Sequence, residues 1–184
     1  ILHDVPGVTC FCPRHLEAFA TRTGQTWTRE RLVAALTAEA ESQEQNQPGA
    51  GSLRAAWFDL QEETFLNLAQ VIEQAVHGAA PDTRIGLMTV GTTLHAVEGR
   101  QTDRLLRVLS GSTRPLIRPG SGFWSDWQPA AVIEKTEDCA RQISFVGADV
   151  QALAEVENHP YSPYIKSNRV LALELALDVL AGMP

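Results

Sequence analysis

A chain of 184 residues with 44% hydrophobic side chains can bury a sizeable core and reads as one domain spanning 1–184, or as part of a larger one. Its formal charge of -7, with no continuous basic stripe, argues against nucleic-acid or anionic-membrane partners and favours small molecules or neutral polymers. No apolar run approaches the roughly 20 residues of a membrane helix, no signal segment opens the chain, and three cysteines do not make a disulfide framework, so a reducing, cytoplasmic compartment is expected.

In chain order, Pro13 after Cys12 is placed to open a helix that includes Leu16 and Phe19 and stops near Gly24. Thr28 can cap a second helix, with Leu32, Val33 and Leu36 at helical spacing. The polar stretch 43–52, with Pro48, Gly49 and Gly51, reads as a flexible loop. A long helix is expected next, with Trp57, Leu60, Leu68, Val71, Ile72 and Val76 on its apolar face and Gly78 and Pro81 at its end. Residues 84–90 predict a short strand, and a helix around Leu105, Leu106 and Leu109 ends at Gly111. A brief strand at 115–118 precedes a glycine-rich loop at 119–123. Pro129 opens a helix with Val132, Thr136, Cys139, Ile143 and Val146 on one face. An acid-bearing strand follows around 152–157, and the last helix, 168–181, is apolar nearly all round and therefore expected to be well buried.

Strands separated by helices pair in parallel, and the functional groups of such folds sit at the carboxyl ends of the strands. Three strands, with a stub at 1–2, are too few for an eight-stranded barrel of about 250 residues. A partial (β/α)8 TIM-type barrel is the expectation, with an open doubly wound sheet as the alternative, although no G-x-G-x-x-G loop is present. The chain begins at Ile1 without methionine, and its start is expected to lie inside a longer protein.

Glu155 and Glu157, two apart on a strand, would share one face. Burying carboxylates is costly, so the pattern suggests an active-site mouth, against the alternative of a solvated edge strand. Arg118, at the end of its strand, could pair with Glu155 or orient Glu157 through a charge-assisted contact. Trp124, Asp126 and Trp127 suit a sugar, whose C–H face packs on a ring while an acid accepts from its hydroxyls. His95, Glu98 and Arg100 fall in a loop on the same side, and Tyr161, Tyr164 and Lys166 follow Pro160 toward the same cleft.

The run from Cys10 to Phe19, C-F-C-P-R-H-L-E-A-F, resembles the C-Y-C-x-x-C-x-x-A-F region after the fourth barrel strand of family 42 glycoside hydrolases, the β-galactosidase-like group. Glu157-Asn158-His159-Pro160 resembles the E-S-T-P stretch that carries the nucleophile of that family at the end of its seventh strand. The chain also resembles an uncharacterised hydrolase-like barrel group with C-F-C-P-x-H and E-x-E-N-x-P segments. The resemblance implies a barrel portion from the end of strand four to the helix after strand seven. It further implies retaining hydrolysis of a β-galactoside or related glycoside, with Glu157 as nucleophile and Glu155 beside it.

A retaining glycosidase needs a second carboxyl group about 5 Å away. Where the family carries it, this chain has Asp4, or its counterpart precedes Ile1, in which case the chain alone is expected to be inactive. Arg118, Trp124, Asp126, Asn158 and Tyr161 are the expected substrate contacts. No cofactor is required by this chemistry. The cysteine cluster of the family implies a structural zinc held by Cys10, Cys12 and His15, against the alternative of reduced cysteines packing a loop, and no fourth ligand is evident. A non-catalytic carbohydrate-binding or barrel-derived interaction domain is the other functional class. A half barrel leaves open sheet edges, so self-association or pairing with further segments of the same protein is expected.

Overall fold

The computed structural model describes residues 10–42, 52–90, 100–120, 125–156 and 165–183. The elements are α1 (Pro13–Thr23), α2 (Arg29–Ser42), α3 (Leu53–Ala79), β1 (Gly86–Val90), α4 (Thr102–Ser110), β2 (Leu116–Gly120), α5 (Ala131–Ser144), β3 (Gln151–Ala152) and α6 (Asn168–Leu180). They belong to two compact units, one of Ile1–Leu68 with Thr93–Gln101 and the other of Ala69–Thr92 with Thr102–Pro184.

Local chemistry sets the helix ends of the first unit. Pro13 occupies the opening turn of α1, where its missing N–H has no helical partner to lose, and Gly24 ends the helix at φ 68, a left-handed conformation that favours glycine. The Thr28 hydroxyl accepts from the Arg31 N–H at 3.2 Å, and the Ser52 hydroxyl accepts from the Ala55 N–H at 3.0 Å, each satisfying a donor at a helix start. Phe19, Leu32, Leu36, Trp57 and Leu60 form the core of this unit. Trp57 stacks on Phe11 with centroids 5.1 Å apart and meets Phe19 edge-on at 5.0 Å. Both are favourable arrangements of ring quadrupoles.

The second unit is built on a parallel sheet of order β1-β2-β3. Gly86 lies opposite Leu116 and Val90 opposite Gly120, whereas β2 and β3 pair only at Leu116 with Gln151 and Ile117 with Ala152. The carbonyls of Pro115 and Ile117 accept from the Gln151 and Leu153 N–H groups, so the odd positions of β2 turn their backbone polar groups toward β3. Pro119 is the next such position, and it has no N–H to donate. Leu106, Ile117, Cys139, Ala152 and Met183 form the core of this unit.

Three expectations are corrected. The chain is not a portion of a TIM-type barrel. A barrel alternates strand and helix, but among the described residues α1, α2 and α3 succeed one another with no strand between them, and one three-stranded parallel sheet is formed. In the acid-bearing stretch residues 153–156 are not strand, because β3 ends at Ala152, and Glu157 lies outside the described residues. Finally, α6 is not buried all round: Leu173, Leu175, Val179 and Leu180 are exposed, while Glu174 and Asp178 are its buried residues. The inversion follows from the partners that α6 meets, which are lysine ammonium groups.

Candidate functional site

Ligands of parallel sheets bind beyond the carboxyl ends of the strands, and a charged pair joins the middle of β2 to the chain just past β3. Arg118, on β2, pairs through its Nη1 with Oε1 of Glu155, which lies just past β3. Glu155 is largely buried, its side chain 12% exposed, and Arg118 is one-third exposed at 33%. Gly120 makes room for the pair, since a Cβ at that position would overlap the Glu155 carboxylate and approach the Thr89 carbonyl oxygen to 3.2 Å. The Nε of Arg118 is buried without a hydrogen-bond partner among the described residues. The sheet end is further tied to α5 by a buried polar chain. Thr89 donates to Gln142 Oε1 at 2.8 Å, and Gln142 Nε2 donates to the Gly120 carbonyl at 3.1 Å.

Behind Glu155 lies a cluster of four charged groups. Lys135 Nζ donates to the Glu155 carbonyl oxygen at 2.6 Å, to Glu174 Oε1 at 2.6 Å and to Asp178 Oδ2 at 3.2 Å. Lys166 Nζ donates to the other Glu174 oxygen at 2.6 Å. All four side chains are exposed by 2% or less. Two ammonium groups balance two carboxylates, which is the condition under which buried charges are tolerated. Asp178 Oδ1 has no hydrogen-bond partner among the described residues. Burial, reinforced by the Glu174 charge, raises the Asp178 carboxyl above the ordinary aspartate range, against the pull of Lys135.

The thiol cluster lies in the other unit. Cys12 occupies the position before α1 in an extended conformation, φ -69 and ψ 160. That conformation brings its sulfur to 3.2 Å from His15 Nδ1, three residues on. The ligand atoms of Cys10, Cys12 and His15 all lie within 4.8 Å of one another, and both thiols are free of disulfides. The nearby His15 backbone N–H lowers the Cys12 thiol below its ordinary range, helped by the Cys10 thiol and Arg14 and opposed by partial burial. Two sulfurs and an imidazole are a soft-to-borderline donor set. A tetrahedral zinc, with bonds of about 2.0–2.3 Å, needs its ligand atoms roughly 3.3–3.8 Å apart, so these three residues fit a metal ion after small side-chain movements.

The expected residues are only partly brought together. Arg118 and Glu155 form one pair, and Cys10, Cys12 and His15 form one cluster. Asp126 is engaged elsewhere: its Oδ1 accepts from the Ser167 N–H at 3.0 Å and the Ser167 hydroxyl at 3.1 Å, and its own N–H donates to the Ile165 carbonyl. It holds the approach to α6. Trp127 is 85% exposed and has no core role. Asp4, His95, Glu98, Trp124, Glu157, Asn158, Tyr161 and Tyr164 lie outside the described residues. Arg100 lies over the Phe65 ring, 4.2 Å from its centroid, in the first unit.

Lys135, Glu174 and Asp178 were not among the expected site residues. Their signal is present in the sequence: Lys135 sits three after Val132 and four before Cys139, on the apolar face of its helix, while Glu174 and Asp178 lie four apart in a leucine-rich one. Among the described residues, no helix is long and apolar enough to cross a membrane. Compared with family models, curated proteins and solved structures, the chain matches none.

Proposed function

We propose that the carboxyl end of the three-stranded sheet binds a carbohydrate and that, in the intact protein, the chain takes part in retaining hydrolysis of a β-galactoside or related glycoside with Glu157 as nucleophile. The observation that carries this reading is the Arg118–Glu155 pair, a partly exposed guanidinium midway along β2 and a largely buried carboxylate just past β3. Such a pair is neutral as a whole yet rich in donors and acceptors, which suits a neutral polyol. Bonded to Arg118, Glu155 serves as an acceptor for sugar hydroxyls, and the nucleophile is the next acid along the chain. In that reaction the Glu157 carboxylate forms a bond to the anomeric carbon as the bond to the leaving oxygen breaks. A second carboxyl group, Asp4 or one from elsewhere in the protein, delivers a proton to that oxygen, and water then releases the sugar.

A mechanism-based 2-deoxy-2-fluoroglycoside should label Glu157 in the full-length protein, read by mass spectrometry, with no label on Glu157→Gln. Failure to label across galacto-, gluco- and fuco-configured reagents would remove the nucleophile assignment. Sugar binding by titration in the absence of labelling would instead favour a non-catalytic carbohydrate-binding domain.

We also propose that the metal-competent cluster is a structural zinc site, supported by its two thiols and imidazole. Zinc held there would tie the segment before α1 to the first turn of that helix. Added zinc at about 100 times its Kd should stabilise the first unit by about 2.7 kcal/mol, seen as a raised Tm that Cys12→Ser abolishes. An unchanged Tm together with no bound zinc by elemental analysis would rule the site out.

A further inference from the structure

We propose that Glu174 is a positioning residue for the Arg118–Glu155 pair, a buried hub that fixes the backbone on both sides of the segment 157–164. Its two carboxylate oxygens are divided between two lysines. Oε1 accepts from Lys135 and Oε2 from Lys166, each at 2.6 Å. The two lysines hold the two flanks of that segment. Lys135 spends another of its donors on the Glu155 carbonyl, at 2.6 Å, and Lys166 is itself the second residue after position 164. One side chain on α6 thereby sets the distance between the residue that pairs with Arg118 and the chain that returns to α6.

The geometry is hard to explain as ordinary packing. A helix whose sequence is mostly leucine, alanine and valine could have buried those residues, yet it leaves Leu173, Leu175, Val179 and Leu180 exposed and turns Glu174 inward at 0% exposure. Apolar replacement of a buried ion cluster is often neutral or stabilising, so what such a cluster supplies here is a particular arrangement of the groups it touches. Here it touches the backbone carbonyl of Glu155. Asp178 supplies the second negative charge that Lys135 and Lys166 require, through Lys135 at 3.2 Å.

The proposed role in the site rests on the carbohydrate reading of that site, whereas the positioning of the backbone is tested without it. Hydrogen exchange on the full-length protein should show the Glu174→Gln amides of 153–156 and 165–167 exchanging at least about tenfold faster, with α1 and α2 unchanged. Lys135→Met should affect the first stretch and Lys166→Met the second, which keeps the test decisive if Glu174→Gln does not fold. Acceleration at 153–156 and 165–167 no greater than that across the rest of α5 and α6 in the lysine variants, or no acceleration at either flank, would overturn the proposal. With a labelling fluorosugar, Glu174→Gln should slow labelling at saturating reagent more than it weakens reagent binding. If the wild-type protein takes no label at all, the glycosidase reading fails while the exchange pattern still decides the role of Glu174.

Discussion

The two units bury different chemistry. The largest fully buried side chains of the first unit are Trp57, Phe19, Leu32 and Leu36, whereas the second buries Lys135, Gln142 and Glu174 beside Leu106, Ile117, Val132 and Met183. The first core is held by removal of apolar surface from water, a non-directional force that tolerates small shifts. The second places hydrogen-bonded charges where the strands end, and those groups are satisfied only in one arrangement. The contrast separates a region organised for stability from one organised to hold particular atoms in place.

The largest test of that contrast sets Trp57→Ala against Lys135→Met. Removing the indole should cost about 3–5 kcal/mol through lost burial and a cavity. Removing the Lys135 ammonium should cost a similar amount, about 3–5 kcal/mol, because Asp178 and part of Glu174 become unpaired. The difference emerges on full replacement. Exchanging Lys135, Lys166, Glu174 and Asp178 together for Met and Leu should leave stability unchanged or raise it by about 1–4 kcal/mol, as read by urea denaturation. A loss of several kcal/mol in that quadruple variant would mean that the charges stabilise the second unit after all, and the contrast would dissolve.

A smaller effect is expected at Gly120, where an added Cβ collides with the Glu155 carboxylate. Gly120→Ala should cost about 1–3 kcal/mol, in the range of overpacked sites. Glu155 must then leave Arg118, which a changed Arg118 side-chain NMR resonance would report. An unchanged resonance at wild-type stability would show that the close approach at Gly120 is not needed.

The smallest expected effect is a pH slope. Burial raises the Asp178 carboxyl in the folded protein, so between the ordinary aspartate value of about 3.9 and that raised value the folded state holds a proton the unfolded state has lost. Stability from this group therefore falls as pH rises through that window and is level above it. Asp178→Asn should remove this part of the fall in urea midpoints measured across the acid range. A slope identical in the variant would show that Asp178 titrates alike in both states.

Much of the helical framework was legible because its signals are local. Pro13 and Gly24 bracket α1, Thr28 caps α2, and 84–90 and 115–118 overlap the observed strands. The barrel expectation failed because the strand-and-helix rhythm of the second half was extended to a chain whose described elements before Gly86 are all helices. The Arg118–Glu155 pair was anticipated as one of two partnerships for Arg118. The charged cluster was missed because charges on a helix usually mark its solvated face. Whether Glu174 faces water or Lys135 is decided by a lysine thirty-nine positions earlier in the chain, a contact that no local window contains.

The shortness of β3 has a simple origin with a long reach. Had residue 119 carried an amide hydrogen, the register of Ile117 with Ala152 would have aimed it at the Leu153 carbonyl, the next rung of the ladder. Pro119 withholds that hydrogen, the ladder stops short of Glu155, and the backbone oxygen of Glu155 is held by the ammonium of Lys135 in place of a strand. A single absent atom in one strand thereby converts what would have been fabric into a fitting.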